Sequence, residues 1–117
     1  MVEIDTLDNT LKTFGFPRID ILKIDIEGAE PIALRGMKET IARSPHMIMF
    51  TEVYPECMEK LGESPVLYLK ELLVLGFKLS CIDEKRRELT PIDDIEKFVK
   101  SIPGESYRNI YAEKIRA

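Results

Sequence analysis

Histidine and cysteine are scarce in this chain: one histidine, His46, and two cysteines, Cys57 and Cys81, among 117 residues. With no CxxC pair and no second histidine, the ligand set of a zinc site is missing. His46 directly precedes an apolar run and reads as a capping or solvated residue. The cysteines carry no disulfide-type spacing and no sign of activation, so both read as packing residues in a reducing compartment. A basic excess is lacking as well. Lys and Arg number 17 against 21 Asp and Glu, a net charge of -4, which argues against a nucleic-acid partner. No apolar run approaches the ~20 residues of a membrane span, and the opening MVEIDTLDNT lacks the basic-then-apolar order of a signal peptide. These absences predict a soluble, cytoplasmic chain that binds neither nucleic acid nor membrane.

What is present is a chain able to fold. Hydrophobic residues make up 44% and charged residues 32%, enough for the core of a single domain over residues 1–117. Val2 to Asp5 can form a short strand. Thr6 is placed as an N-cap for a helix with Leu7, Leu11 and Phe14 at helical spacing and Gly15 as its stop. Ile19 to Ile26 reads as a strand whose apolar residues occupy both parities, the pattern of a sheet covered on both faces. Pro31 suits a helix start, with a stripe of Leu34, Met37 and Ile41. Gly36 inside it marks either close packing or a break. His46 to Val53 is a second apolar strand, and Tyr54 to Gly62 a loop with one helical turn. Ser64-Pro65 opens a helix carrying Val66, Leu69 and Leu73. Phe77 to Ile82 is a third strand, followed by a charged turn at Asp83 to Arg87. Thr90-Pro91 then predicts a helix start with Asp93 as a capping-box partner, and Ile95, Phe98, Val99 and Ile102 as its inward face. Tyr107 to Lys114 alternates as a last strand. Strand and helix alternating from Ile19 onward predict an α/β fold with a mostly parallel sheet.

The conspicuous chemistry lies in ILKIDIEGAEP, Ile21 to Pro31, where three carboxylates crowd the end of a strand. In open α/β sheets ligands bind beyond the carboxyl ends of the strands. Asp25 and Glu27 lie there, and Glu52 lies at the same end of the next strand. If the two strands are neighbours, their axes are about 4.8 Å apart, and Asp25 and Glu52 face one cavity as a base, a cation site or a hydroxyl-binding pair. Tyr54 follows closely enough to line the same pocket. Structural readings stand beside these. Glu27-Gly28 can be a plain turn, Glu30 can complement the positive end of the next helix, and Asp25 can pair with Lys23.

The segment ILKIDIEGAEPIALRGM resembles the FkbM-type family of S-adenosylmethionine-dependent methyltransferases. The match runs through Lys23, Ile24, Asp25, Ile26, Glu27, Gly28, Ala29, Glu30, Leu34, Arg35 and Gly36. The upstream Thr6-Leu7-Asp8, the strand end Met49-Phe50-Thr51-Glu52 and the closing Arg108-Asn109-Ile110-Tyr111-Ala112 agree with it. Pro31 departs from the aliphatic residue usual in the family.

The resemblance implies a partial Rossmann-like, class I methyltransferase sheet with helices on both faces. Its strands correspond to the fourth to seventh of the family's seven, in the order 4-5-7-6 with an antiparallel last strand. It implies transfer of a methyl group from S-adenosylmethionine to a hydroxyl of a small-molecule acceptor, a sugar or secondary metabolite. Asp25 and Glu52 are the implied catalytic carboxylates, with Glu27, Glu30 and Tyr54 shaping the acceptor pocket. The family's glycine-rich cofactor loop has no counterpart, because the six glycines contain no GxG. The chain therefore resembles the C-terminal half of the catalytic domain, with cofactor-binding residues unassigned and activity of the chain alone in doubt. Half a sheet leaves the Ile19–Ile26 edge open, which predicts a homodimer or a complementing N-terminal partner there. Two rival functions remain: a non-catalytic assembly module that complements such a partner, and a divalent-metal hydrolase built on Asp25, Glu27 and Glu52.

Overall fold

The computed structural model describes residues 5–115, so the expected strand at Val2 to Asp5 falls almost wholly outside the described residues. The elements, in chain order, are α1 (Leu7–Lys12), β1 (Ile21–Lys23), α2 (Glu30–Arg35), α3 (Lys38–Ala42), β2 (Ile48–Val53), α4 (Pro55–Lys60), α5 (Pro65–Val74), β3 (Phe77–Asp83), β4 (Glu88–Pro91), α6 (Ile95–Lys100) and β5 (Arg108–Lys114). None of the described helices is long and apolar enough to cross a membrane.

The strands form one five-stranded sheet in the order β1-β2-β5-β3-β4. Only β1 and β2 pair in parallel, with Lys23 opposite Phe50. β5 runs against both β2 and β3, and β4 runs against β3. This corrects the expectation of a mostly parallel sheet. β1, β2 and β3 do point the same way, but the reversed last strand lies between β2 and β3 and turns their ladders antiparallel.

Side-chain parity decides the two faces. Met49, Thr51 and Val53 of β2, Ile110 and Ala112 of β5, and Phe77 and Leu79 of β3 are buried on one face. They pack there with Leu34, Ile41, Met58, Tyr68, Leu69 and Leu72 from the helices. The hydroxyls of Thr51 and Tyr68 meet at 2.6 Å inside this core, so neither is buried without a partner. The opposite parity, with Ile21, Lys23, Phe50, Lys78 and Glu113, is exposed. The helices thus cover one face, not both, and a cavity can open on the other.

Local signals hold at several helix ends and fail at one. Thr6 and Ser64 accept hydrogen bonds from the amides of Asn9 and Leu67 at 3.1 Å each, as N-caps. Phe14 lies beyond the end of α1 and is exposed, and Leu73 points outward while Leu72 takes the buried place. The loop expected after Tyr54 contains the six-residue helix α4. Thr90-Pro91 does not start a helix. The Asp83 carboxylate accepts the amides of Lys85 (3.1 Å) and Arg86 (3.0 Å), closing a turn that sends β4 back along β3. Pro91 ends this edge strand, where a missing N–H breaks no ladder. The cap of α6 is Asp94, not Asp93, and it accepts from the Lys97 amide at 3.0 Å.

Gly36 separates α2 from α3, and α1 accounts for the break. A Cβ on Gly36 would stand 2.9 Å from the Cβ of Thr6, and the Asp8 amide donates to the Gly36 carbonyl at 2.8 Å. Asp8 then caps α3 from outside. Its carboxylate accepts the Glu39 amide (3.1 Å), the Thr40 amide (2.8 Å) and the Thr40 hydroxyl (2.7 Å). Burial pushes the Asp8 carboxyl up, but these bonds outweigh it and hold it below its ordinary value.

Candidate active site

The β1–β2 register brings the carboxylates together. Lys23 is opposite Phe50, so two residues further along Asp25 arrives beside Glu52. Glu52 is in turn opposite Asn109 of β5. Asp25, Glu52 and Asn109 therefore form a row across three strands on the open face. They border a cavity of about 330 Å³ at the carboxyl ends of β1 and β2, together with Lys23, Phe50 and Tyr107.

Glu52 is only 8% exposed. Burial, then the hydrogen bond to Asp25 and the charges of Asp25, Glu30 and Glu27, push its carboxyl up to about 7. Near neutral pH it is divided between acid and base, with its proton held toward Asp25. Lys23 forms no ion pair with a described residue, so the structure does not support simple pairing of Lys23 with Asp25.

The loop after β1 is built around Glu30. Its carboxylate is fully buried and accepts the amides of Ile26 and Gly28, both at 2.9 Å. Glu30 thus shapes the loop from inside, and both its oxygens are engaged by backbone. It is not turned out to meet a substrate. The bend needs Glu27 at φ 49 and Gly28 at φ 101. Gly28 also has no room for a side chain, because a Cβ there would stand 2.7 Å from the carbonyl carbon of Cys57. Glu27 is exposed at the rim.

Tyr54 caps α4 instead of lining the cavity. Its ring lies 5.8 Å from that of Tyr107, which does border the cavity. Its hydroxyl donates to the Glu105 carbonyl at 3.4 Å. Tyr54 therefore supports the cavity wall from behind. His46 lies before β2, at the opposite end from Glu52. Cys57 and Cys81 are both free thiols. Among the described residues no three His, Cys, Asp or Glu side chains gather as a metal would require.

Two cavity residues, Tyr107 and Asn109, were missed by sequence reasoning. The alternation of β5 does place Asn109 and Tyr111 opposite in parity to Ile110 and Ala112. Nothing local signals that β5 lies beside β2.

A family model described as the Methyltransferase FkbM domain matches residues 2–79. The chain belongs to the FkbM methyltransferase family. The match takes in Asp25, Glu27, Glu30 and Glu52, together with the Asp8 cap. It stops within β3, so β4, α6 and β5 lie beyond it. No curated protein and no solved structure matches the chain significantly.

Proposed function

We propose that this FkbM-family chain supplies the acceptor side of an S-adenosylmethionine-dependent methyltransferase that methylates a hydroxyl oxygen of a small molecule. The observation that carries the reading is the Asp25–Glu52 pair, set in a cavity at the carboxyl ends of two adjacent parallel strands.

The described residues suit the methyl-receiving end of such a site and not the nucleoside end. Of the glycines with positive φ, Gly28 is the one beside the cavity loop, and the backbone of Cys57 fills the space in front of it. No open glycine cradle is therefore available for the cofactor among these residues, and the rest of its site comes from elsewhere. S-adenosylmethionine supplies an activated methyl group when bound.

The chain's own residues then have defined work. The ionised Glu52 carboxylate takes the proton of the acceptor hydroxyl as methyl transfer makes that oxygen cationic. Asp25 keeps Glu52 a strong enough base to do so near neutral pH. Burial of Glu52 keeps water from competing for its carboxylate, and Phe50 and Tyr107 give the acceptor an apolar surface.

The outer edge of β1 is the proposed partner surface, and the proposed occupant is a second copy of this chain. Ile21 is 67% and Ile26 45% exposed along it, and its outward backbone groups are a template for another strand. An antiparallel register centred on Ile24 would set Lys23 of one copy opposite Asp25 of the other.

The test of the methyltransferase reading is transfer of labelled methyl from S-adenosylmethionine to a panel of hydroxylated acceptors. It uses protein purified under conditions that retain any partner, between pH 5 and 9. The rate should climb through pH about 7 as Glu52 ionises, and Glu52→Gln should lower it by about 10²- to 10⁴-fold. Equal rates for the variant and the parent would remove Glu52 from the reaction.

A further inference from the structure

A second cavity, of about 650 Å³, adjoins the candidate active site and shares Ile82, Tyr107 and Asn109 with it. It opens between α6 and strands β3, β4 and β5, and its volume is that of a small-molecule site. Phe98 of α6 and Tyr107 give it aromatic surface, and Thr90 gives it a hydroxyl. Arg108 has the parity of Ile110 and Ala112, so its side chain leaves β5 on the helix-covered side. Lys85 reaches the same cavity from the turn between β3 and β4.

The charges on this wall are unequally engaged. Both of its acids are occupied: one oxygen of Asp83 accepts the amides of Lys85 (3.1 Å) and Arg86 (3.0 Å), and Glu84 accepts the Asn109 side-chain amide at 2.8 Å. Lys85 and Arg108 pair with no carboxylate among the described residues, and neither do Arg86 and Arg87 at the tip of the turn. Arg108 spends one N–H on the Tyr107 carbonyl at 2.9 Å, which tethers the guanidinium and leaves its other donors for a ligand. Burial pushes the Cys81 thiol above its ordinary value, so this wall residue stays protonated and offers no covalent chemistry.

We propose that this second cavity is a binding site for an aromatic phosphate monoester, held by Arg108 and Lys85 with its ring against Phe98 and Tyr107. Two cations without a carboxylate partner match a dianion better than a single carboxylate. The planar guanidinium suits two phosphate oxygens at once, and the ammonium adds a point charge. Phosphate alone would leave most of the cavity unfilled, whereas a ring covers its aromatic surface. The site rests on none of the carboxylates of the neighbouring cavity, so it holds whether or not methyl transfer takes place there.

The experiment titrates phenyl phosphate, inorganic phosphate, benzoate and phenol separately into the ¹⁵N-labelled protein at low salt and about pH 8, where the monoester is a dianion. Phenyl phosphate should shift the backbone amides of Cys81, Thr90 and Arg108 and the Arg108 Nε–H. It should bind about 10-fold or more tightly than each of the other three, the worth of one charge-assisted hydrogen bond. Arg108→Gln should weaken it by the same factor of about 10 or more, and Lys85→Gln by about 3-fold. Arg108→Lys keeps the charge without the fork and should fall between the parent and Arg108→Gln. Phe98→Leu should weaken phenyl phosphate and leave inorganic phosphate unchanged.

Equal affinities for phenyl phosphate and inorganic phosphate overturn the proposal, because the aromatic surface then plays no part. Benzoate binding as tightly as phenyl phosphate does the same, since one negative charge would suffice. Shifts confined to the amides around Asp25 and Glu52 would put the ligand in the other cavity and overturn it too. So would an affinity unchanged in both Arg108 variants, or no binding by any of the four compounds. Should Arg108→Gln fail to fold, Arg108→Lys and Lys85→Gln carry the same test.

Discussion

Replacing Glu52 with Gln tests the site through stability, independently of any substrate. Gln keeps the shape and polarity of the protonated acid but never ionises. In the parent, the carboxyl rises from its ordinary value of 4.5 to about 7 on folding. Between those values the folded state binds a proton that the unfolded state has released, so stability falls with rising pH. The contribution is fully present below 4.5, is lost between 4.5 and about 7, and stays lost above. The rise corresponds to about 3 kcal/mol. Urea denaturation of parent and Glu52→Gln should therefore be compared from pH 4 to 9. The difference between the two proteins should change by roughly 3 kcal/mol in favour of Gln across that window and level off beyond it. Taking the difference cancels the other titrating groups. Curves that run parallel from pH 4 to 9 would refute the reasoning, because they would mean that water solvates Glu52 as freely in the folded protein as in the unfolded chain. Asp25→Asn should leave part of the rise, since burial outranks Asp25 among its causes.

Three further outcomes follow from the same geometry. Glu30→Ala strands two amides that now meet a buried carboxylate and should cost about 3–5 kcal/mol by urea denaturation, with Glu30→Gln costing less because one acceptor survives; a loss below 1 kcal/mol would mean that the loop does not depend on it. Gly28→Ala combines positive φ with a backbone clash and should cost at least ~3 kcal/mol, so a variant as stable as the parent would show that the loop can move away from α4. The proposed pairing across β1 predicts a dimer by light scattering that Lys23→Pro converts to monomer, since the Lys23 N–H points away from β2 and proline cannot donate to a new ladder; a parent that is monomeric at high micromolar concentration would exclude the second copy.

Much of the site was legible in sequence because its signals are local. Carboxylates at the end of an apolar run, a glycine where the chain must bend and a second run ending in Glu52 placed Asp25 and Glu52 at neighbouring strand ends. Thr6 and Ser64 declared their helices by accepting amides within one turn. The matched Asp8 was visible as a residue, but its reason, capping α3 from a different helix, was not. Glu30 looked like a pocket residue because side-chain direction is not written in spacing. Only the folded loop shows its carboxylate turned inward to the Ile26 and Gly28 amides.

The sequence by itself determined where β1, β2, β3, β5 and most of the helices form, and that acid gathers after β1. Those properties depend on neighbours within a few residues. The family resemblance implied the order that sets β5 between β2 and β3, but the tertiary structure alone decided that Asn109 faces Glu52, that β4 replaces a helix turn, and that one face of the sheet stays open. Each of these is a choice among pairings of distant segments. It is settled by the burial and hydrogen bonding of the whole sheet at once, which no short stretch of the chain can specify.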